Sequence, residues 1–264
     1  MSPPAPSSAH LDRSKPPQAE PVHPFSFPPF HRYRLANGMV VVAARLPRVP
    51  LVSLELFTPA SAQHDPPDGA GLATFTAALL DEGTARRSAT EIAALVERLG
   101  GRLSTGAGWN ASYVDVSVLA KDLEVGLGLL TEIVLEPSFP EEEIERLRQR
   151  RLGELLQGKN DAQVLATDAF NRAVYGDGIY GRRIVGDETS VASFDRSRVS
   201  AFHRLHNTAA GSCFTAIGDL DPEELFGRLQ KAFANAPTHP PTPQPAVQPR
   251  ERDGVEVHLV HRPR

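Results

Sequence analysis

The amino-acid sequence predicts an α+β fold, a largely antiparallel sheet with helices packed on one face. Strand patterns come early and in neighbouring pairs, and several helical patterns follow before the next strand pattern. A doubly wound parallel sheet would instead require strict alternation of strands and helices. The chain has 264 residues, of which 41% are hydrophobic, so it is long enough to bury a core of its own.

Two proline-rich segments bracket the predicted globular part. Residues 3–29 hold nine of the 24 prolines, and residues 237–249 hold six more. Proline lacks a backbone N–H and is excluded from helix interiors and central strands, so both segments are predicted to be extended and solvated. We therefore expect a disordered tail over residues 1–30, a domain over 31–236, a linker over 237–254, and the start of a missing or truncated second half over 255–264.

The first strands are predicted on either side of Asn37 and Gly38. Both residues tolerate positive φ, and the pair lies between two strand-like runs, which is a strong hairpin signal. Residues 51–58 (LVSLELFT) alternate and predict a third strand. Two more strands are expected within residues 101–120, joined near Gly108–Asn110.

Helices are predicted between and after these strands. Ser88 and Glu91 form a capping box at the start of a helix over 88–99, and Gly100-Gly101 ends it. The other predicted helices cover residues 69–82, 121–135, 141–158, 161–175, 195–206 and 221–234, and further strand patterns cover 212–217 and 255–261.

Charge and hydropathy exclude several functions. The formal net charge is −4 and the pI about 6.1, so no basic field draws the chain to nucleic acid. No stretch approaches the roughly 20 apolar residues of a membrane span, and no signal-peptide core is visible, so a cytoplasmic protein is expected, with export by another route left open. The single cysteine, Cys213, excludes an intrachain disulfide and is expected to pack in the core.

Residues 69–84 (GAGLATFTAALLDEGT) join a small-residue loop to a helix that ends at Gly83-Thr84. This stretch resembles the zinc-site helix of the pitrilysin/insulinase metallopeptidases, which include the mitochondrial processing peptidases. The resemblance covers about residues 31–236 and implies the N-terminal half-unit of such a peptidase. Four downstream segments resemble the family in the same order: LGGRLST (99–105), EPSFPEEEIERLRQRRLGEL (136–155), the Tyr-Gly segment 180–208, and FTAIGDLDPEEL (214–225).

The resemblance also locates a lost metal site. In the family, an H-x-x-E-H helix supplies two zinc ligands and the general base, and a later Glu is the third ligand. Thr74, Ala77 and Ala78 stand at the motif positions, and Glu154, 76 residues after Ala78, stands at the third. One carboxylate cannot hold zinc, because structural sites draw about 10–16 kcal/mol from a complete ligand set. The resemblance therefore implies a chain without catalysis or cofactor, in which Glu154 is vestigial.

Each of these residues also has a plainer interpretation. Residues 69–82 alone would fit a packing helix, and Glu154 alone a surface carboxylate. The downstream segments favour an inactive family member. Asp81 and Glu82, as neighbours on a helix, are expected to point apart and to be ordinary polar residues at its end.

The histidines offer two candidate pairs for a substitute site. His203 and His206 are three apart in a helical pattern and could share a face, but with no carboxylate or cysteine motif nearby, surface or capping roles are favoured. His258 and His261 are three apart in a strand-like run, so they are expected on opposite faces and unable to chelate one ion.

By resemblance, family members form clamshells of paired halves around an unfolded peptide, and one side often lacks zinc. The implied partners are a zinc-bearing homologue in a heterodimer and an extended peptide, which would add as a strand to an exposed sheet edge. Gly106 and Gly108 would allow close backbone approach, or mark a bulge or twist. A structural assembly subunit without a peptide role is the alternative, and an active zinc endopeptidase with a relocated site is disfavoured by ligand count. The candidate edge residues are Leu103, Ser104, Thr105 and Gly106.

Overall fold

A computed structural model describes residues 26–243, 249 and 254–260. Its sheet has the strand order β1-β2-β6-β3-β5-β4. The β2–β6 pair is parallel and the other four pairs are antiparallel, which confirms the predicted fold class. The strands are β1 His31–Arg34, β2 Val40–Arg45, β3 Leu51–Thr58, β4 Arg102–Ala107, β5 Ser112–Leu119 and β6 Cys213–Gly218.

Helices cover one face of this sheet. Along β3, Val52, Leu54 and Leu56 are buried while the residues between them are half-buried, so one face carries the core. None of the described helices is both long and apolar enough to cross a membrane. The α-helices within the described residues are α1 Leu72–Ala77, α2 Ala89–Leu99, α3 Leu123–Leu135, α4 Glu141–Gly158, α5 Ala162–Tyr175, α6 Glu188–Ala192, α7 Arg196–His206 and α8 Pro222–Ala232.

Side-chain caps explain where several helices begin. Ser88 and Glu91 form the predicted capping box of α2, and Gly100 ends that helix in the left-handed conformation with φ of 59°. Asp161 and Asp221 each accept two backbone N–H groups at the starts of α5 and α8. These groups would otherwise lack partners in the first helical turn.

The predicted β1–β2 hairpin is present, and one helix end needs correction. Of the two turn residues that tolerate positive φ, Gly38 adopts it, at 92°, and Asn37 does not. Asn37 instead accepts the Met39 N–H and donates to Phe233 O, so its amide ties the turn to the end of α8. The helix predicted over 69–82 ends as an α-helix at Ala77, after which Leu79 and Leu80 make tighter i→i−3 bonds to Thr76 and Ala77.

The C-terminal strand prediction is wrong for its described part. Residues 255–260 form no strand ladder with any described residue, and Val255, Val257 and Leu259 are almost fully exposed. A strand needs a neighbour to pair with, and none of the residues that the structure describes pairs with this segment. His261 lies outside the described residues. So do residues 1–25 of the expected tail and residues 244–248 and 250–253 of the expected linker, and the domain limits stay predictions.

Candidate functional site

Helix α1 is held at its start by a buried carboxyl group. Gly71 is its left-handed N-cap and offers no side chain, but Asp65 in the preceding loop accepts the N–H groups of Gly71 (2.7 Å) and Ala73 (2.8 Å). Burial raises the pKa of Asp65 to about 7, opposed by these two N–H groups and by Arg182. Asp65 lies six residues ahead of the cap, outside the spacing of any capping motif, so sequence analysis missed it.

The three positions of the lost zinc motif lie on α1 or directly at its end. The Thr74 hydroxyl lies 3.0 Å from Gly71 O and 3.1 Å from Ile184 O, so its proton is committed to backbone carbonyls. Ala77 is 2% exposed and lines a small cavity of about 20 Å³, together with Thr76 and Phe202. Ala78 is half-buried against the core.

The fourth position, Glu154, lies on a different helix from these three. The Glu154 side chain on α4 is 53% exposed and pairs with Arg151 at 3.4 Å. A carboxylate that is solvated and already paired is not preorganised as a metal ligand. Among the described residues, no group of three or more His, Cys, Asp or Glu side chains is arranged to hold a metal ion.

The residues therefore do not fit a zinc ion. Zinc sites in proteins use three or four nitrogen, sulfur or carboxylate donors in tetrahedral geometry. These positions offer one hydroxyl engaged with carbonyls, two methyl groups, and one exposed carboxylate paired with Arg151. No zinc-dependent step can be assigned to them.

The candidate peptide edge lies beside α1. Leu103, Ser104, Thr105 and Gly106 all belong to β4, which is at the end of the sheet and is paired with β5 alone among the described residues. Helix α1 packs against β4, and the Thr105 hydroxyl lies 3.2 Å from Asp81 Oδ1 just beyond that helix. The structure thus brings the edge and the motif helix together.

The two glycines in and after β4, Gly106 and Gly108, make close contacts with other residues of this chain. A Cβ added to Gly106 would lie 2.6 Å from the hydroxyl of Tyr113, so the close approach at this glycine is made by the Tyr113 ring from β5. Gly108 lies in the β4–β5 turn, where its N–H donates to Ala111 O and its carbonyl accepts the Ala62 N–H.

A polar and aromatic cluster fixes that turn. The Gln63 amide lies 2.5 Å from Asn110 Oδ1 and 2.7 Å from the Tyr180 hydroxyl. The Trp109 and Tyr180 rings meet edge to face at 5.0 Å. This cluster is not predictable from the sequence, because Gln63 and Tyr180 are 117 residues apart and no motif links them.

The two histidines of α7 were expected at the surface or in capping roles, whereas the structure turns both rings inward. His203 packs its ring against Phe139 and lies 3.0 Å from Val134 O, and burial lowers its pKa to about 4. His206 is 6% exposed, and its pKa is lowered to about 4 by burial and by the nearby His64 and His239. Both rings turn inward because the apolar face of α7 includes them.

The other candidate residues do not come together in a metal-binding group among the described residues. Asp81 contacts Thr105, whereas Glu82 pairs with Arg146 at 2.6 Å, so the two carboxylates point apart as predicted. Cys213 is only half-buried in β6, and burial raises the pKa of its thiol. His258 lies 3.1 Å from Glu256.

Comparison with known proteins finds one family. The model of "Insulinase (Peptidase family M16)" matches residues 40–188, more than half of the chain. A protein of Mycobacterium leprae named an uncharacterized zinc protease is 27% identical over 241 residues, which are 87% of this chain and 54% of that protein. One from Rickettsia bellii with the same description is 25% identical over 206 residues, covering 78% and 50%. The chain spans about half the length of these relatives.

Solved structures share the fold. A crystal structure of a peptidase M16 inactive domain from Pseudomonas fluorescens has a TM-score of 0.77 at 24% identity, covering 81% of this chain and 52% of that one. The structure of a protease from Helicobacter pylori has a TM-score of 0.78 at 18% identity, covering 86% and 56%. At these identities the likeness establishes the fold alone.

Proposed function

The chain belongs to the insulinase family of peptidases (peptidase family M16), and from this premise we propose that it is a non-catalytic member that binds extended peptides and pairs with a zinc-bearing homologue. The observation that carries this proposal is the position of a motif helix without ligands beside an edge strand without a second partner among the described residues.

The chemistry of α1 supports the first half of the proposal. Zinc peptidases need a metal-bound water and a group that takes its proton. At the position of the base, Ala77 presents a buried methyl group that can take no proton. At the positions of the two nitrogen ligands, Thr74 and Ala78 present a carbonyl-bound hydroxyl and a methyl group.

The geometry of β4 supports the second half. An edge strand presents a row of N–H and C=O groups, and an extended peptide can pair with them through its own main chain. Such pairing depends little on peptide sequence, which suits a protein that handles unfolded segments. Ser104 and Gly106 carry small side chains or none, so they leave the edge accessible.

The family resemblance supports pairing with a homologue. By resemblance, the peptide chamber is built from two half-units, and this chain spans about half the length of the relatives named zinc proteases. A second half-unit with an intact H-x-x-E-H helix would supply the zinc, the bound water and the base. The chain described here would then supply one wall and one strand edge.

We expect an unfolded ten-residue peptide to shift the backbone amide resonances of β4 and to leave those of β1, the edge strand at the far side of the sheet, unchanged. Two N-methylated versions, each with three methyl groups, test strand addition. Methyl groups on alternate residues keep one peptide edge open and should preserve affinity, whereas methyl groups on consecutive residues block both edges and should weaken binding at least tenfold, since about two or three hydrogen bonds are lost.

The opposite results would contradict the proposal. Equal affinity for both methylated peptides, or β4 amides that do not respond, would exclude strand addition at this edge. A peptide that neither binds nor shifts any described amide would favour the alternative of a structural assembly subunit with no peptide role.

A further inference from the structure

The start of the expected linker is tied to the body of the domain. We call residues 237–243 the strap. The strap is exposed, but the Ala209 N–H donates to Pro237 O at 2.7 Å and the Thr208 hydroxyl donates to His239 O at 2.7 Å. It is therefore not a free connector over this length.

Two stacked imidazole rings hold the far end of the strap. His64 Nε2 lies 3.1 Å from Thr242 O, and His206 Nδ1 lies 3.4 Å from the Thr242 hydroxyl. The two rings are stacked, with centroids 4.7 Å apart and planes 23° from parallel. His64 comes from the loop before α1 and His206 from the last turn of α7, so the strap bridges two elements that are distant in sequence.

We propose that His64 and His206 form a pH-sensitive clasp, in which neutral rings hold the strap against the domain and protonation releases it. The physical reason is the stacking distance. A proton on each ring would place two positive charges about 5 Å apart, where like charges repel even in a partly solvated site.

The hydrogen bonds of His64 involve both ring nitrogens. If Nε2–H donates to Thr242 O, then Nδ1 is left as an acceptor for the Ser61 hydroxyl, which is 3.1 Å away. Both nitrogens are then used.

The charges around His206 offer no compensation for a proton. His64 faces its ring from the loop, His239 approaches from the strap, and Phe202 packs against it from α7 at 4.6 Å. Asp65 is next to His64 in sequence, but its carboxyl group is bonded to backbone N–H groups of α1. Among the described residues, neither His64 nor His206 takes part in an ion pair.

The surroundings of His206 determine whether acid favours the clasped or the released strap. Burial and the two neighbouring histidines lower the pKa of His206 from 6.5 to about 4, so the clasped form binds a proton less readily than a released form with an ordinary histidine. Acidification from about 6.5 towards 4 therefore favours release, by up to about tenfold per pH unit for one proton.

The test uses amide hydrogen exchange of the whole chain at pH 7.5 and 4.5, corrected for intrinsic exchange rates. We expect the protection of the Ala209 N–H to fall at least tenfold at the lower pH. The Ala85 N–H, which bonds to Glu136 O and not to the strap, should keep its protection and serves as the internal control. Equal loss at both amides would mean general unfolding and would overturn the proposal.

Two variants assign the effect to the clasp. Glutamine cannot titrate but keeps an amide of similar reach, so H206Q should remove most of the pH dependence at Ala209. H64Q changes a half-buried ring and serves where H206Q does not fold; it should also flatten the response, because it removes the repelling partner. An unchanged pH dependence in the folded variants would overturn the proposal, as would full protection of Ala209 at pH 4.5 in the parent chain.

Discussion

Ala77→Glu, which returns a carboxyl group to the position of the family's general base, is expected to destabilise the fold by about 3 kcal/mol or more. Ala77 is 2% exposed, and the cavity it lines measures about 20 Å³, less than the added side chain needs. A glutamate there must displace core atoms and lose its hydration. The group would stay protonated near neutral pH, because burial raises the pKa of a carboxyl group.

Urea unfolding at pH 7 measures this effect. The matched control is Ala78→Glu, the same substitution one residue along, where the side chain is half-buried and can reach solvent. We expect the control to cost clearly less, about 1 kcal/mol. If the free energy of unfolding of Ala77→Glu equalled that of the parent chain, the placement of Ala77 in the core would be wrong.

Gly71→Ala is expected to cost more than about 3 kcal/mol, because two penalties combine at this residue. Its φ is 91°, a conformation that costs a residue with a Cβ about 1 kcal/mol. The added Cβ would also lie 2.6 Å from Gly186 N and from the carbonyl carbon of Val185, which are backbone atoms and cannot rotate away. Relief requires separating α1 from the 184–186 loop.

Gly128→Ala gives the contrasting control. Gly128 lies within α3, and an added Cβ there meets no atom within 4 Å, so this substitution should stabilise the helix by about 0.5–1 kcal/mol. Thermal unfolding measures both variants: the melting temperature should fall for Gly71→Ala and rise for Gly128→Ala. A Gly71→Ala protein as stable as the parent would contradict the close packing of α1 on the loop.

Local signals in the sequence predicted the elements well. The Ser88 capping box, the Gly100 stop and the Asp221 cap are contained in a few neighbouring residues, and each appears in the structure as expected. Helix α6 was missed although Asp187 and Ser190 form its capping box, because five residues are too few to show a helical period.

The candidate site was only partly predictable. Thr74, Ala77 and Ala78 were identified by resemblance, since their side chains show no chemistry of their own. What holds them was not visible: Asp65 caps α1 from outside any capping motif, and Ile184 meets Thr74 from 110 residues away. Such contacts depend on tertiary packing. The inward turn of His206 was missed for the same reason, since its partners come from other elements.

Zinc content tests the central claim most directly. The chain, purified without a tag, would be dialysed against excess zinc and then against metal-free buffer before elemental analysis. Because the motif positions offer no nitrogen donor, we expect less than about 0.1 zinc per chain. About one tightly held zinc per chain would contradict the account, and would show that donors other than those at Thr74, Ala77, Ala78 and Glu154 build a metal site in this protein.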